Sequence, residues 1–500
     1  MQKQILINAE PKETRVAVLE SDVLQEYYVE RPGYKRVVGN IYKGKVDAII
    51  TGLAAAFVDI GLEKDGFLYA GNVATDESGH LSPDFDDDIF DESKRRSFEP
   101  LSIDKLLKKG QEVLIQIEKE AIGTKGPRIT QYISIPGRFL VLMPLQKGHV
   151  GISKKIEGEE RARIKKILAD IRIPGDVGLI VRTAAQGVSA REIGRELKFL
   201  LKIWGRIRGI ANREKAPKIV YEEYDLILRV VRDLFTDDVE ALIIDSKDEY
   251  RRVEKFLKMV LPNLRQKVKL YRKPKGLFDE YGIEKEVDKL YSKKVMLRSK
   301  GTLVIEQTES LVAIDVNTAG FTGKRNPEET AFATNLEAAR EIARQIRLRD
   351  MGGIIIIDFI DMELRDHRKK VQHTLEEALR RDKAKTEVLS VSNIGVIEMT
   401  RQRMGRSLLS MSFRECPYCQ GDGFVKSVST VSIEIFRNLK KTLNEVRARN
   451  VDLRVHPEVA EYLHTHDKNL IHFIERRYRC RVNVKPDPTL HVEDAHVIPS

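Results

Sequence analysis

Four consecutive isoleucines, Ile354 to Ile357, follow directly on Gly352-Gly353 and run into Asp358. No other stretch limits the fold as tightly. β-Branched side chains favour a strand, and alternate strand residues point to opposite faces. The run therefore predicts a strand buried on both sides, as in a parallel sheet covered by helices. The residues upstream supply a helix. Asn326-Pro327-Glu328-Glu329 offers an N-cap, a first-turn proline and two carboxylates at the positive end of a helix dipole. Phe332, Leu336, Ala339, Ala343 and Ile346 then recur on one helical face, and Gly352-Gly353 ends it. Before that helix, Thr302–Glu306 and Leu311–Asn317 read as a hairpin. The order is strand, crossover helix, strand, so Leu311–Asn317 and the isoleucine strand are expected side by side and parallel.

That arrangement gathers chemistry. A side-chain period of two puts Ala313, Asp315 and Asn317 on one face, with Asp315 and Asn317 at the carboxyl end of their strand. Asp358 ends the next strand, so both aspartates are expected at the sheet edge where open α/β folds bind ligands. Two carboxylates and a short amide suit Mg²⁺, a hard cation that keeps several waters. Lys324 and Arg325 follow in a loop that could face a phosphate, and Asp361 could support the site from behind. The competing reading is that such aspartates only cap helices or bind loop amides.

Length and composition frame the rest. Five hundred residues suggest about three domains. The chain is 33% charged and 42% hydrophobic, which excludes a disordered chain, and its longest stretch without a charge, Ala48–Val58, is too short to cross a bilayer. No transmembrane segment and no signal peptide are expected. Three cysteines exclude a disulfide scaffold and suit a reducing cytoplasm. The net charge of +11 favours an anionic partner. The first residues read as three short strands that need partners from elsewhere, and residues 218–274, which alternate helix and strand, could adopt them. Residues 37–133 read as strands bent at glycines, a small twisted barrel, interrupted by the acidic block Asp84 to Glu92 and the basic Lys94-Arg95-Arg96.

Three further signals stand apart from the aspartates. In the barrel, Phe57 and Phe67 either stack bases, with Lys43, Lys45 and Lys119 meeting phosphates, or fill the barrel core. Arg182-Thr183 ends a strand just before Ser189-Ala190-Arg191-Glu192, a capping box, and offers phosphate donors. Cys416-Pro417-Tyr418-Cys419 presents two thiolates to one ion. Structural Zn²⁺ takes four ligands, and the remaining cysteine, Cys480, stands alone. A two-fold dimer sharing one Zn²⁺ closes that count. A redox role is the alternative, but that motif sits at the helix start of a thioredoxin-like βαβ, and the sequence around it shows none.

The stretches NIYKGKV, AAFVDIG, GLIVRTA, AIDVN, EETAF, TNLEAAREIARQ, GGIIIIDFIDM and CPYCQGDG occur in this order. Together they resemble the ribonuclease E/G family of bacterial endoribonucleases, from the first strands to His491-Val492-Glu493. The resemblance implies an α/β multidomain chain. Residues 1–36 and 217–278 would form an RNase H-like domain, into which are inserted an S1-like OB-fold barrel at 37–133 and a 5′-sensor region at 134–216. A DNase I-like catalytic domain at 279–400, a zinc-link at 401–424 and a small α/β dimerisation domain at 425–500 would follow. Asp315 and Asp358 match the Mg²⁺ ligands, and Asn317 matches the residue that supports them. Phe57, Phe67 and Lys119 match RNA contacts, Arg182 and Thr183 the 5′-monophosphate receptor, and Cys416 and Cys419 the zinc-link. Lys385 stands where some members carry an arginine near the 5′ phosphate.

The implied activity is Mg²⁺-dependent cleavage of single-stranded, preferably 5′-monophosphorylated RNA, in cytoplasmic RNA processing and mRNA decay. The implied assembly is a homodimer through a shared Zn²⁺, or a homotetramer. A non-catalytic RNA-binding scaffold and a DNA nuclease with the same carboxylates are the rival readings.

Overall fold

The computed structural model describes residues 2–34, 36–74, 102–121, 125–146, 148–308, 311–318, 327–390, 392, 396–403, 407–414, 416–446 and 448–500. The acidic block Asp84 to Glu92, Lys94-Arg95-Arg96, Lys324, Arg325 and the expected N-cap Asn326 lie outside the described residues. The chain forms two compact units, Met1–Leu409 and Ser410–Ser500.

The first unit begins with the antiparallel meander β1 (Lys3–Glu10), β2 (Glu13–Glu20) and β3 (Val23–Glu30). Ser21 and Asp22, both with positive φ, supply the tight turn between β2 and β3. A closed barrel follows: β4 (Ile41–Ile50), β5 (Ala55–Asp59), β6 (Gly66–Tyr69), β7 (Glu112–Lys119) and β8 (Arg128–Thr130), ordered β4-β5-β6-β8-β7 with β7 back on β4. Val46, Ala56, Val58, Leu68, Ile115 and Ile129 fill it. β4 must bend to pair with both β5 and β7, and Gly44 allows it: a Cβ there would lie 2.5 Å from the Val58 side chain.

Next come β9 (Ile135–Pro136), β10 (Leu140–Met143), β11 (Val150–Ile152) and β12 (Gly178–Val181), a four-stranded sheet packed by the long helix Ala190–Arg213. That helix starts with the expected capping box at Ser189 and Glu192. β13 (Lys218–Tyr221) returns to the barrel and pairs with β4. β14 (Val239–Ile244) runs parallel to β1, and β15 (Val268–Leu270) parallel to β14, giving the order β15-β14-β1-β2-β3. The orphan N-terminal strands find their partners here, as the alternation in 218–274 suggested. Both faces of this sheet are covered. Ile5, Ile7, Val16 and Val18 pack on one side, and Leu6, Ala17, Leu19 and Tyr27 pack on the other with Leu277, Phe278 and Ile283.

The third sheet is β16 (Lys294–Met296), β17 (Thr302–Gln307), β18 (Leu311–Asn317), β19 (Gly353–Asp358), β20 (Thr386–Val388) and β21 (Val396–Arg401), ordered β16-β17-β18-β19-β21-β20. β18 and β19 are parallel, as expected, but every other pairing is antiparallel. The isoleucine run is not buried on both sides. Ile355 and Ile357 are fully buried, whereas Ile354 is 52% exposed and Ile356 half-buried. The reason is topological. The crossover helix Pro327–Leu348 and the following helix Arg365–Leu379 both pack on one face, burying Val312, Ile314, Val316, Ile355 and Ile357, and the other face stays open. The crossover helix is also rotated from the expected stripe. Ala331, Asn335, Ala338 and Ile342 are buried with Ala339, Ala343 and Ile346, while Phe332 and Leu336 lie half-buried at its flank.

The second unit holds β22 (Asn450–Val455), β23 (Arg481–Pro486) and β24 (Ala495–Pro499), ordered β23-β22-β24. β22 and β23 are parallel, joined through helices Pro457–Thr465 and Lys468–Tyr478, and helix Val428–Glu445 shares their core. A βαβ unit is therefore present, contrary to the sequence expectation, though Cys416 and Cys419 precede it in the turn before Val428–Glu445. Among the described residues, no helix is long and apolar enough to cross a membrane.

Candidate functional site

Asp315 and Asp358 are direct partners in the β18–β19 register. Parallel neighbours lie about 4.8 Å apart, so the two carboxylates stand side by side. Because Ile314, Val316 and Ile357 face the helices, Asp315, Asn317 and Asp358 face the open side, and all three are exposed. The pair thus sits on the open face near the strands' carboxyl ends rather than beyond the edge. Asn317 Nδ2 donates to Asp315 Oδ2 at 2.6 Å, which fixes the rotation of that carboxylate. The donor set is all oxygen, with two adjacent carboxylates, and fits a hard divalent cation. Among the described residues no group of three or more His, Cys, Asp or Glu side chains converges on one point, so any cation here would keep much of its water.

Asn335, which sequence reasoning did not single out, and Glu328, read there only as a first-turn carboxylate, anchor the segment after Asp358. Asn335, fully buried on the crossover helix, donates to the Ile360 carbonyl at 2.8 Å and accepts from the Ile360 amide at 3.1 Å. Glu328 accepts from the backbone N–H of Glu363 at 2.9 Å and Leu364 at 3.3 Å, and lies 2.7 Å from His367 Nδ1. Those amides and the imidazole hold its carboxyl below the usual glutamate range. An asparagine at a core-facing helix position was the available signal for Asn335. Asp361 is exposed on this segment.

On the barrel, Phe57 and Phe67 are register partners, with ring centroids 5.8 Å apart at 72°. Both are half-buried, and neither belongs to the buried barrel core. The register carries on from Phe67 to Arg128 and from Arg128 to Lys119. One row across four strands therefore reads Phe57, Phe67, Arg128, Lys119. Arg128, which also pairs with Glu118 at 3.2 Å, was not singled out from the sequence, because only the β6–β8 and β7–β8 pairings bring it beside Phe67 and Lys119. Lys43 is tied to Glu112 at 2.7 Å and to the Glu214 carbonyl.

Arg182 leaves β12 and is about one third exposed. Its Nη1 donates to the Gly137 carbonyl at 2.7 Å and to Asp233 at 2.9 Å. Asp233 also accepts from Arg232, which pairs with Glu223 at 2.7 Å. Burial favours the neutral form of Asp233, but the two guanidinium groups outweigh it and hold the acid down to about 2. Arg182 is thus oriented by its neighbours, with Thr183 opening the short 3₁₀ turn Thr183–Ala185 beside it.

In the second unit, the Cys416–Cys419 turn has the form of a metal knuckle. Gln420, Gly421 and Gly423 all take positive φ, and the Gly423 amide donates to Cys419 Sγ at 3.2 Å. The amides of Cys419 and Tyr418 hold the Cys416 thiol below its ordinary range. Two sulfurs approached by N–H donors fit a soft cation such as Zn²⁺. Cys480 is buried in the unit's core, where burial pushes its thiol up.

A fold with adjacent carboxylates on an open α/β face and a barrel with an aromatic and cationic row define a class of nucleic-acid-processing protein. The comparison with known proteins gives the family. Residues 134–404 match the Ribonuclease E/G family, and residues 415–499 match its RNase E/G, Thioredoxin-like domain. Ribonuclease G of Salmonella typhimurium is 38% identical over the whole of both chains, as is Ribonuclease G of Escherichia coli. Ribonuclease E of Haemophilus influenzae is 38% identical over 98% of this chain and 51% of its own length. The chain belongs to the ribonuclease E/G family.

Proposed function

We propose that this protein is a Mg²⁺-dependent endoribonuclease that cuts single-stranded RNA, is stimulated by a 5′-monophosphate, and leaves a 5′-phosphate on the downstream product. The observation that carries the reading is the register pairing of Asp315 with Asp358 on an open face, with Asn317 bonded to Asp315. Asp315 and Asp358 would hold the metal, and when bound it would lower the pKa of a water and polarise the scissile phosphate. Asn317 keeps Asp315 in one rotamer. Asn335 and Glu328 keep the backbone after Asp358 in place. Net hydrolysis adds water across the P–O3′ bond, giving a 3′-hydroxyl and a 5′-phosphate.

The barrel row supports substrate binding. Phe57 and Phe67 offer faces on which unpaired bases stack, and Lys119 and Arg128 meet the backbone. Arg182 and Thr183 would receive the 5′-monophosphate, the guanidinium by charge-assisted hydrogen bonds. Cys416 and Cys419 from each of two chains would share one Zn²⁺ in a homodimer, and a homotetramer is the alternative assembly. Cytoplasmic RNA processing, including rRNA precursors, and mRNA decay are the corresponding roles.

The test is cleavage of a 5′-monophosphorylated single-stranded RNA with and without Mg²⁺ by the wild type and by Asp315→Asn. Loss of cleavage with binding retained is expected. Binding without cleavage by the wild type would favour the scaffold reading, and equal cleavage of the matching DNA would favour the DNA nuclease. For the zinc joint, metal analysis with light scattering should give one zinc per two chains, and Cys416→Ser should lose zinc and the dimer together. One zinc per chain, or a zinc-free dimer of full activity, contradicts the shared site.

A further inference from the structure

The helical side of the third sheet carries a feature that the proposed chemistry does not use. Between the crossover helix and helix Arg365–Leu379 lies a groove of about 460 Å³, lined by Phe332, Leu336, Arg340, Lys369, Lys370 and His373. The two apolar residues are the ones rotated out of the expected core stripe. The four basic residues are exposed, and among the described residues none of them forms an ion pair. The nearby carboxylates are engaged elsewhere. Glu337 accepts from the amides of Arg298 and Ser299, Glu341 pairs with Arg344, and Glu376 accepts from Gln372. Asp366 and Glu377 are exposed on the second helix but do not line the groove.

Unpaired cations around an apolar floor are costly to leave together unless an anion visits them, because like charges repel. The floor has its own character. The Phe332 ring stacks on His367 at 4.0 Å and 12°, and Lys370 Nζ lies 5.9 Å from the ring centre. Lys369 and His373 are four residues apart, about 6 Å along one helix, and Arg340 stands on the other helix. The donors therefore line both walls of the groove, which suits a chain of phosphates better than one small anion. Both helices also begin at the carboxyl end of β18 and β19, the end that carries Asp315 and Asp358. The groove starts at that end and runs down the opposite side of the sheet.

We infer that this groove is a second RNA-binding surface, which takes the phosphodiester backbone of single-stranded RNA extending beyond the catalytic face. The inference rests on the ribonuclease reading. Arg340, Lys369 and Lys370 neutralise phosphates, and Phe332 and Leu336 cover sugar or base edges. RNA long enough to pass from the aspartates into the groove gains affinity, and a short oligonucleotide does not.

The test compares wild type with the triple variant Arg340→Gln/Lys369→Gln/Lys370→Gln. Binding of a short single-stranded RNA and one several times longer is measured by anisotropy without Mg²⁺, over a range of salt. For the long RNA, affinity should fall about tenfold and the salt slope should shrink by about 2, near 0.7 for each lost phosphate contact on a single strand. Short-RNA binding and cleavage should stay at the wild-type level, and Lys369→Arg/Lys370→Arg should retain long-RNA binding. An unchanged thermal midpoint confirms that the triple variant is folded. Equal long-RNA affinity and slope in the two proteins overturns the groove while leaving the ribonuclease reading intact. A loss confined to binding of phosphatidylserine vesicles, or to self-association by light scattering, also overturns it. Failure of the wild type to bind or cut any RNA removes the ribonuclease reading and the groove with it.

Discussion

The first and third sheets of the larger unit are built alike, each with a parallel pair joined through helical segments, yet one is closed and the other open. In the first sheet Ile5, Leu6 and Ile7 are all fully buried, because helices pack on both faces. In the third, the alternation along β18 and β19 separates a buried set, Ile314, Val316, Ile355 and Ile357, from an exposed set that includes Ile354, Asp315 and Asp358. The closed sheet is a stability element. The open sheet has its stability on one side and its proposed chemistry on the other. An exposed isoleucine on the same strand face as two aspartates leaves apolar surface open to another molecule, whereas an isoleucine in β1 is core and nothing more.

That contrast can be broken experimentally. The largest effect should come from the open face. Asp315→Asn or Asp358→Asn should cut RNA cleavage by about a thousandfold, since a metal supplies several kcal/mol of charge stabilisation, while the unfolding midpoint stays within experimental scatter. A stability loss matching the activity loss would make the aspartates structural. Next, Ile357→Ala should destabilise the chain by about 2–5 kcal/mol, as Ile7→Ala should in the closed sheet. Ile354→Ala should cost less than about 0.5 kcal/mol, because surface substitutions rarely exceed that. Denaturant midpoints measure all three, and an equal cost at Ile354 and Ile357 would mean that the open face is covered in the native assembly.

A smaller effect is expected at Arg182. Arg182→Ala should slow cleavage of 5′-monophosphorylated RNA about tenfold, equivalent to one charge-assisted hydrogen bond, and leave 5′-hydroxyl RNA nearly unchanged. Equal slowing of both would assign Arg182 to holding Asp233 alone. The smallest is a pH effect. Asp233 has a folded pKa near 2, below the ordinary value of about 4. Its contribution is complete above pH 4 and is lost as pH falls through 2. Wild type should therefore lose more stability than Asp233→Asn between pH 4 and pH 2 in thermal melts. Parallel curves for the two proteins would disprove the assignment.

Much of this fold is legible in local sequence pattern. The hairpin of β17 and β18, the crossover helix and the parallel β18–β19 pair follow from alternation, helical spacing and turn residues. So does the placing of Asp315 and Asn317 on one face. What sequence alone did not reveal depends on which neighbour arrives. Four isoleucines cannot report whether one or two layers of helices cover them. The rotation that buries Asn335 and displaces Phe332 is set by packing against the sheet, not by the apolar spacing. Arg128 enters the barrel row only because β8 inserts between β6 and β7. The small second unit was legible as α/β, but its βαβ pairing was not, since β22 and β23 are separated by two helices.

The partnership of β1 with β14 has a consequence in time. Asn8 and Asp245, bonded at 2.7 Å, are 237 residues apart in the chain. During synthesis at about 5–20 residues per second, the amino-terminal meander waits roughly 10–50 s for its parallel neighbour. The barrel's own strands, β4 to β8, are contiguous and complete long before that. The inserted module can thus close while its host is still half made, with one edge of β1 unpaired at the ribosome. Nascent chains halted before Val239 should leave that edge open to chaperones, and those that have released Ile244 should not.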